Sequence, residues 1–203
     1  KVDRIFMPSI TTVTSENTEK TSESMCAVVK GYPFVIRNSD NPEKRWGVPF
    51  DTPLFHWYGK VDRDRQLVEY MKETFQILPG QTAEAIKAAD EAQGSFHREL
   101  TSAAQAILDE VERKGTYAVV LASRPYQNDA LVNHDLPAMF TRLGIPVLTA
   151  DSLPELEKVD LSKSRLDVVN NYHARMLGSA IMAAQNPHLE YVQICLLYTS
   201  PSP

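Results

Sequence analysis

The chain has 203 residues, of which 43% are hydrophobic and 23% are charged, and these proportions are ordinary for one large or two small globular domains. Its net charge of −5 argues against a nucleic-acid-binding surface, which usually needs an excess of basic residues. No apolar run approaches the roughly 20 residues that span a bilayer. Two cysteines do not make a disulfide framework, so we expect a cytoplasmic protein. Its charge and its lack of a long apolar run lead us to expect that it binds neither nucleic acid nor membrane.

The first 60 residues predict a partial α/β lobe. Residues 4–7 are typical of a short buried strand, and the polar residues 11–24 that follow predict a surface loop. Ser22 or Ser24 would cap a helix that begins near Met25. Gly31 and Pro33 predict that this helix is short or broken.

Residues 61–115 predict a helical connection between two lobes. In residues 63–78 the apolar side chains recur at i, i+3, i+4 and i+8, which leaves one apolar face, and the proline–glycine pair after them would end the helix. A longer helix is predicted over residues 82–113, and the glycine–serine pair at 94–95 would kink or divide it.

Residues 116–194 predict a βαβαβ lobe. Its first strand is apolar at every position, as in a strand that is covered on both faces. The elements that follow are a helix with an apolar stripe at Leu136, Met139, Phe140 and Leu143, a strand at 145–149, a helix at 165–185 and a strand at 189–194. The predicted fold class is therefore α/β, with Rossmann-like three-layer lobes that have parallel sheets and are joined by long helices.

Residues 195–203 abandon the pattern of the preceding lobe. They resemble the translated read-through of a sequencing adapter, so we expect them to be a non-native tail. A natural tail rich in serine and proline is the alternative.

Polar side chains follow both of the first two strands of the βαβαβ lobe, where ligands gather in open parallel sheets. Arg124 would contact an anion or a carboxylate, with Tyr126 as a second donor. Alternatively, Arg124 ties down the turn and Tyr126 packs under it. Asp151 suits a ligand site at the end of the next strand, or it caps the following turn.

His134 is a candidate general base, with Asp135 as the carboxylate that orients it. Adjacent residues point in different directions on a helix, which argues against this pair. The alternative is that His134 is a polar residue at the start of a helix. The chain has neither the glycine-rich dinucleotide fingerprint nor the phosphate-binding loop motif, so we expect no nucleotide site of its own.

Cys26 lies in the predicted first turn of the helix near Met25, where the helix dipole favours an anion such as a thiolate. The alternative is a small buried apolar side chain. One cysteine cannot hold a zinc ion or a cluster alone, so further ligands would have to come from elsewhere. A cysteine hydrolase would need a histidine base, and spacing to Cys26 selects none of the five histidines.

Several stretches together resemble the acyl-CoA dehydratase activase-related proteins, large proteins of anaerobes that are related to the 2-hydroxyglutaryl-CoA dehydratase system and carry a DUF2229-type region. The matching stretches are residues 119–126 with Asn133-His134, residues 143–152, residues 3–8, Cys26 through Pro33, residues 171–172 and residues 186–194. The resemblance covers most of residues 1–194. Ala27 stands where the family has proline, and the cysteine of the family's Phe-Gly-Cys-Gly motif has no equivalent, since Cys195 does not match it.

The resemblance implies iron–sulfur redox chemistry. Related proteins hold a cluster, here expected to be [4Fe–4S], by cysteine thiolates between Rossmann-like lobes, and an ATP-hydrolysing activase supplies a low-potential electron. Cys26 matches the position of a family cysteine and would be one ligand of the cluster. The remaining ligand cysteines are not in this chain. The implied partners are an activase ATPase region or subunit, an acyl-CoA substrate or a dehydratase, and we expect an oligomer.

Two alternatives to a redox fragment stay open. The first is an interaction or scaffold domain of the same large protein that holds no cluster. The second is a small-molecule-binding α/β enzyme that uses Arg124 and His134. Arg124, Tyr126, His134 and Asp151 are the candidates to face a substrate or a cluster.

Overall fold

The computed structural model describes residues 2–14, 23–164 and 170–194, and its fold class is α/β. The chain divides into two units. Of the described chain, the first contains residues 2–14, 23–90 and 170, and the second contains residues 91–164 and 171–194. Among the residues that the structure describes, every helix is too short or too polar to cross a bilayer.

The first unit is built on two parallel pairs of short strands. Strand β1 (Ile5–Phe6) pairs with β3 (Phe50–Asp51), and β2 (Ser9–Val13) pairs with β4 (Leu54–Trp57). The helices of this unit are α1 (Ala27–Ser39), α2 (Pro42–Trp46) and α3 (Lys60–Phe75), followed by the start of α4 (Pro79–Lys114). Helix α1 packs on β2, and α3 packs on β4.

Strand β2 corrects the surface loop that was predicted from residue 11 onward. Residues 10–13 carry β-branched side chains, which favour a strand, and this preference outweighs the polarity of their threonines. The pairing with β4 shifts by one residue between Ile10 and Thr12, which makes Thr11 a bulge. The middle of the predicted loop, residues 15–22, lies outside the described residues.

Helix α1 is longer than the sequence predicts, because it continues through Gly31 and Pro33 for 13 residues. A proline inside a helix removes one backbone donor and usually destabilises it. Here Pro33 is fully buried, and the hydroxyl of buried Ser9 donates to the Lys30 carbonyl at 2.7 Å, in the turn before the proline. Packing on β2 therefore holds the helix together.

An aromatic cluster joins α3 to the strands of the first unit. The ring centroid of Tyr70 lies 5.6 Å from that of Phe6 and 5.8 Å from that of Phe55, and Phe55 stacks on Trp57 at 5.7 Å. Phe75 meets the ring of Tyr70 edge-on at 6.0 Å. The predicted apolar face of this helix thus packs through its aromatic residues.

Helix α4 corrects two predicted helix boundaries. The proline–glycine pair does not end α3, which stops at Gln76 in the left-handed conformation; instead Pro79 is the first residue of α4, a position that proline favours. Helix α4 also runs undivided through Gly94 and Ser95. One glycine costs a helix about 1 kcal/mol relative to alanine, and the alanine-rich flanks offset that cost.

The second unit has a three-stranded parallel sheet in the order β6–β5–β7. Its elements are β5 (Ala118–Ala122), α5 (Ala130–Asn133), α6 (Leu136–Arg142), β6 (Val147–Thr149), α7 (Asn171–Gln185) and β7 (Leu189–Gln193). Each strand lies close to its predicted position. Of the predicted second helix, residues 165–169 lie outside the described residues.

Strand β5 is the centre of this sheet. All five of its residues are buried, and Val120 pairs with Leu148 on one side and with Tyr191 on the other. The second half of α4 completes the core with Ala104 and Val111. The first crossover runs from β5 to β6 on one side, and the second runs from β6 back past β5 to β7 on the other side.

The stripe predicted on α6 is only partly buried. Helix α6 ends at Arg142, so Leu143 is its C-cap residue and is exposed, as is Met139. The positive φ of Gly144, 76°, then turns the chain towards β6.

Candidate functional site

The carboxyl ends of β2 and β4 form one edge of the first unit, and Cys26 lies there. Cys26 is the N-cap residue of α1, and its carbonyl accepts from Lys30 N at 3.1 Å. The sequence placed it in the first helical turn, one residue further on. Its side chain is partly buried and does not accept a capping hydrogen bond.

The segment before Cys26 is attached to β2. Met25 N donates to the Thr11 carbonyl at 2.8 Å, and Ser24 forms an antiparallel bridge with Thr12. The Lys30 ammonium donates to the Ser24 hydroxyl at 2.8 Å. Lys30 and the N-terminus of α1 therefore both place positive charge near Cys26, which favours an anion at this edge.

His56 is a residue of the same edge that spacing in the sequence did not select. It lies near the end of β4, where its Nδ1 contacts the hydroxyl of the bulged Thr11, and its ring stacks on Tyr58 with centroids 6.4 Å apart. Thr11 thus touches His56 through its side chain and Met25 through its backbone. A signal was present in the sequence, because His56 lies inside the apolar and aromatic run of residues 54–58.

The donor atoms of this edge do not complete a cluster site. Iron–sulfur clusters of the expected type are held by four thiolates. Among residues 2–14, 23–164 and 170–194, no three side chains of His, Cys, Asp or Glu come close enough to hold a metal ion. The described residues therefore supply one cysteine ligand for a cluster, Cys26. Cys195 lies outside the described residues.

Arg124 lies at the carboxyl end of β5 in the second unit. Its Nη2 lies 3.0 Å from Nε2 of His173, in the first turn of α7. Because a guanidinium only donates, Nε2 of His173 is the acceptor in this contact. No carboxylate among the described residues forms an ion pair with Arg124, which is partly buried.

Asp151 lies at the carboxyl end of β6 and forms a salt bridge with Arg175, which is also near the start of α7. The first turns of α7 therefore meet the ends of both β5 and β6. The structure brings Arg124 and Asp151 to the same edge of the sheet. There Arg124 contacts His173 and Asp151 contacts Arg175, and both partners lie on α7.

Tyr126 and His134 lie on the segment that follows Arg124. Tyr126 is in a 3₁₀ turn, and its side chain is 55% exposed. His134 is the C-cap residue of α5, and it and Asp135 have the positive φ angles 53° and 60°. Asp135 approaches Arg142 at 3.9 Å. The predicted roles of Tyr126 and His134 stay predictions.

Two buried amide side chains of the same segment were not singled out by the sequence. Gln127 is 2% exposed and Asn133 is 5% exposed. The Gln127 Oε1 accepts from Arg124 N at 2.9 Å. Its Nε2, and both polar side-chain atoms of Asn133, have no hydrogen-bond partner among the described residues. Buried polar atoms without partners are rare in folded proteins.

A groove of about 320 Å³ lies at the other end of the same sheet. His188, which immediately precedes β7, lines it, and so do Leu108 and Met182. His188 also contacts the Thr116 carbonyl ahead of β5 at 2.7 Å. The groove is therefore at the amino ends of the strands, away from Arg124.

Comparison with known proteins gives one match. Residues 1–153 match the family model described as "CoA enzyme activase uncharacterised domain (DUF2229)". No curated protein and no solved structure matches significantly. The matched stretch includes Cys26, Arg124 and Tyr126, and it confirms the resemblance to the acyl-CoA dehydratase activase-related proteins. Since the match covers more than half of the chain, the chain belongs to the CoA enzyme activase uncharacterised domain family.

Proposed function

We propose that the chain is an iron–sulfur redox domain of an activase-type protein that serves a CoA-dependent enzyme. The observation that supports this proposal is the position of Cys26. It is the N-cap residue of α1, at the carboxyl end of β2, with Lys30 four residues further along the helix. Thiolate-bound clusters carry negative charge, which the helix N-terminus and Lys30 would stabilise.

In this proposal the chain contributes one thiolate to a [4Fe–4S] cluster. The cluster would supply a low-potential electron carrier, and the described residues would provide one ligand and the positive charge around it. The other thiolates would belong to a further segment or a second chain. The role of Arg124, Tyr126, His134 and Asp151 in facing a substrate or the cluster belongs to the proposal as well.

The partners in this proposal follow from the family. An ATPase region or subunit of the activase would supply the electron, and a dehydratase or its acyl-CoA substrate would receive it. Shared ligation of a cluster by two chains would make the protein an oligomer. Low-potential chemistry of this kind requires a reducing compartment, which is the cytoplasm.

A second candidate function, an interaction domain without a cluster, is favoured by the surface of α1. Val28, Tyr32 and Val35 recur at i, i+4 and i+7 and are all exposed. Such a stripe is typical of a helix that packs on another element. This candidate does not need the thiol of Cys26.

The Cys26→Ser variant separates the two candidates. Serine is among the best N-cap residues, so the helix and the stability of the unit should be kept while the thiolate is lost. We expect a complete family protein containing this domain, prepared without oxygen, to bind iron and sulfide and to give a cluster signal in EPR after reduction. The variant should lose most of that iron.

The matched control is Ser39→Ala at the exposed end of the same helix, which keeps Cys26 and should bind as much iron as the parent. Circular dichroism of all three proteins checks that they are folded. If Cys26→Ser retains the iron and the EPR signal of the parent, the redox proposal is wrong, and the interaction domain becomes the better description.

A further inference from the structure

We propose that the carboxyl edge of the second unit is a binding site for the phosphate group of a small molecule, held by Arg124, which His173 positions, and by the N-terminus of α7. The proposal does not depend on an iron–sulfur cluster at Cys26, because both edges are built from different residues of different units. It rests on the position of the edge in the sheet, on its charge and on its unsatisfied polar atoms.

The position is the one at which open parallel sheets bind ligands. β5 lies between β6 and β7: the chain passes from β5 to β6 on one side, and the connection from β6 through α7 then returns past β5 to β7 on the other side. Ligands of such sheets lie beyond the carboxyl ends of the strands, at the point where the strand order reverses. Arg124 is the second residue after β5 and therefore lies at that point.

The charge of this edge is positive and is not balanced by the described residues. The guanidinium of Arg124 is partly buried and has the imidazole of His173 as its side-chain partner. Asp151, the carboxylate of the neighbouring strand end, is already paired with Arg175. A partly buried guanidinium without a carboxylate favours an anion, and its planar fork suits the oxygens of a phosphate.

Helix α7 adds to this positive charge. It has 15 residues and begins at Asn171, so its dipole places a partial positive charge at the end that carries His173. Helix N-termini bind phosphate through this charge and their backbone N–H groups.

The buried amides provide an independent observation. The Gln127 side chain is 2% exposed and is bonded through Oε1 to the backbone N of Arg124, so its unpaired Nε2 lies beside the same residue. Asn133, on the helix that packs against this turn, also has an unpaired and buried amide. Such atoms are expected where a ligand completes the hydrogen bonds of a site.

Two residues with left-handed backbone follow these amides. His134 and Asp135 have φ angles of 53° and 60°, a conformation that is uncommon for residues other than glycine. Strained pairs of this kind are concentrated at ligand sites and switch regions.

The test is titration calorimetry of the full chain with inorganic phosphate in a phosphate-free buffer. We expect saturable binding with one site per chain, and a dissociation constant that rises roughly tenfold or more in Arg124→Gln, because a charge-assisted bidentate contact is lost. Arg124→Lys should fall between the two, since it keeps the charge and loses the fork.

The matched control is Arg142→Gln, which removes the same charge from an exposed arginine of the same unit and should leave the dissociation constant unchanged. A second variant, His173→Gln, keeps an acceptor for Arg124 and should weaken binding several-fold. Circular dichroism verifies the fold of each variant.

Several results would overturn the proposal. One is the absence of saturable binding up to roughly 10 mM phosphate. Another is equal weakening in Arg124→Gln and Arg142→Gln, which would mean non-specific attraction of an adventitious ion only. A third is binding of acetate as tight as that of phosphate, which would identify a carboxylate site. Iron binding through Cys26 is measured separately, so these results do not decide the redox proposal.

Discussion

The carboxyl edges of the two units share a backbone arrangement and differ in their side chains. Each edge joins the ends of parallel strands to the N-terminus of a helix, and each has a histidine that contacts a residue of a neighbouring element, His56 on Thr11 and His173 on Arg124. The first edge carries the thiol of Cys26, and the second carries the guanidinium of Arg124. The backbone favours an anion in both places, and the side chains decide which anion.

The comparison also shows how differently the two edges are supported. The first is built on two pairs of strands, of two to five residues each, whose core is an aromatic cluster. The second is built on a continuous sheet in which β5 is buried on both faces. We therefore expect the second edge to depend on one central strand, and the first to depend on individual contacts between its helices and strands.

The largest expected effect is that of Leu121→Ala in β5. Leu121 is fully buried, and truncating a leucine in such a place costs about 2–5 kcal/mol in the free energy of unfolding. Urea unfolding of the full chain measures it. The control is Leu131→Ala, at a leucine that is almost fully exposed, which should change stability by less than about 0.5 kcal/mol.

The same variant sharpens the comparison of the two edges. Leu121→Ala should weaken phosphate binding at Arg124, because Arg124 follows this strand directly, and it should leave iron binding through Cys26 intact. Loss of both properties together, under conditions where the chain is folded, would contradict the independence of the edges.

A smaller effect is expected from Ser9→Ala in β2. Its buried hydroxyl donates to the Lys30 carbonyl and holds α1 against the strand, so we expect a loss of about 1 kcal/mol. Thermal unfolding measures it. Ser39→Ala removes a hydroxyl that donates to Val35 O within the exposed end of α1, and it should have almost no effect. Equal losses in the two variants would show that Ser9 does not hold the helix in place.

The smallest expected effect is a dependence on pH at Asp90 of α4. Hydrogen bonds from Arg63 and then Lys60 of α3 hold the pKa of this carboxyl well below its usual range. A lowered folded pKa contributes stability that is present above the unfolded pKa of about 3.9 and is lost as the pH falls through the folded pKa.

The Asp90→Asn variant tests this linkage. It should be slightly less stable than the parent at pH 7, and the difference should shrink as the pH falls below about 5. Melting temperatures from pH 7 to pH 2 measure it, with Glu84→Gln, at an exposed carboxylate of the same helix, as the control. A difference between Asp90→Asn and the parent that stays constant over this range would contradict the proposed cause.

Patterns of apolar residues predicted the second unit well. The unbroken apolar run of residues 118–122 indicated a strand covered on both faces, and the alternation of strands and helices up to residue 193 indicated a parallel α/β sheet. These predictions succeeded because periodicity reports burial, and burial is set locally by side-chain type. Short polar strands gave no such signal, which is why β2 was expected to be a loop.

Proline and glycine were less reliable guides than the apolar patterns. Pro33 does not break α1, because Ser9 and the packing on β2 support the helix around it. Gly94 does not divide α4, and Pro79 begins that helix instead of ending the previous one. For Pro33 and Gly94 the local preference costs about 1–3 kcal/mol, and contacts or flanking sequence outweigh it.

The sequence by itself determined the fold class, the family and the residue types available at each strand end, because these depend on local composition and on motifs within short stretches. Only the tertiary structure decided which of those residues meet. His173 lies 49 residues from Arg124 in the chain, and His56 lies 45 residues from Thr11, so no spacing rule connects them. Such pairs form because parallel strands and the helices between them return to the same edge of a sheet.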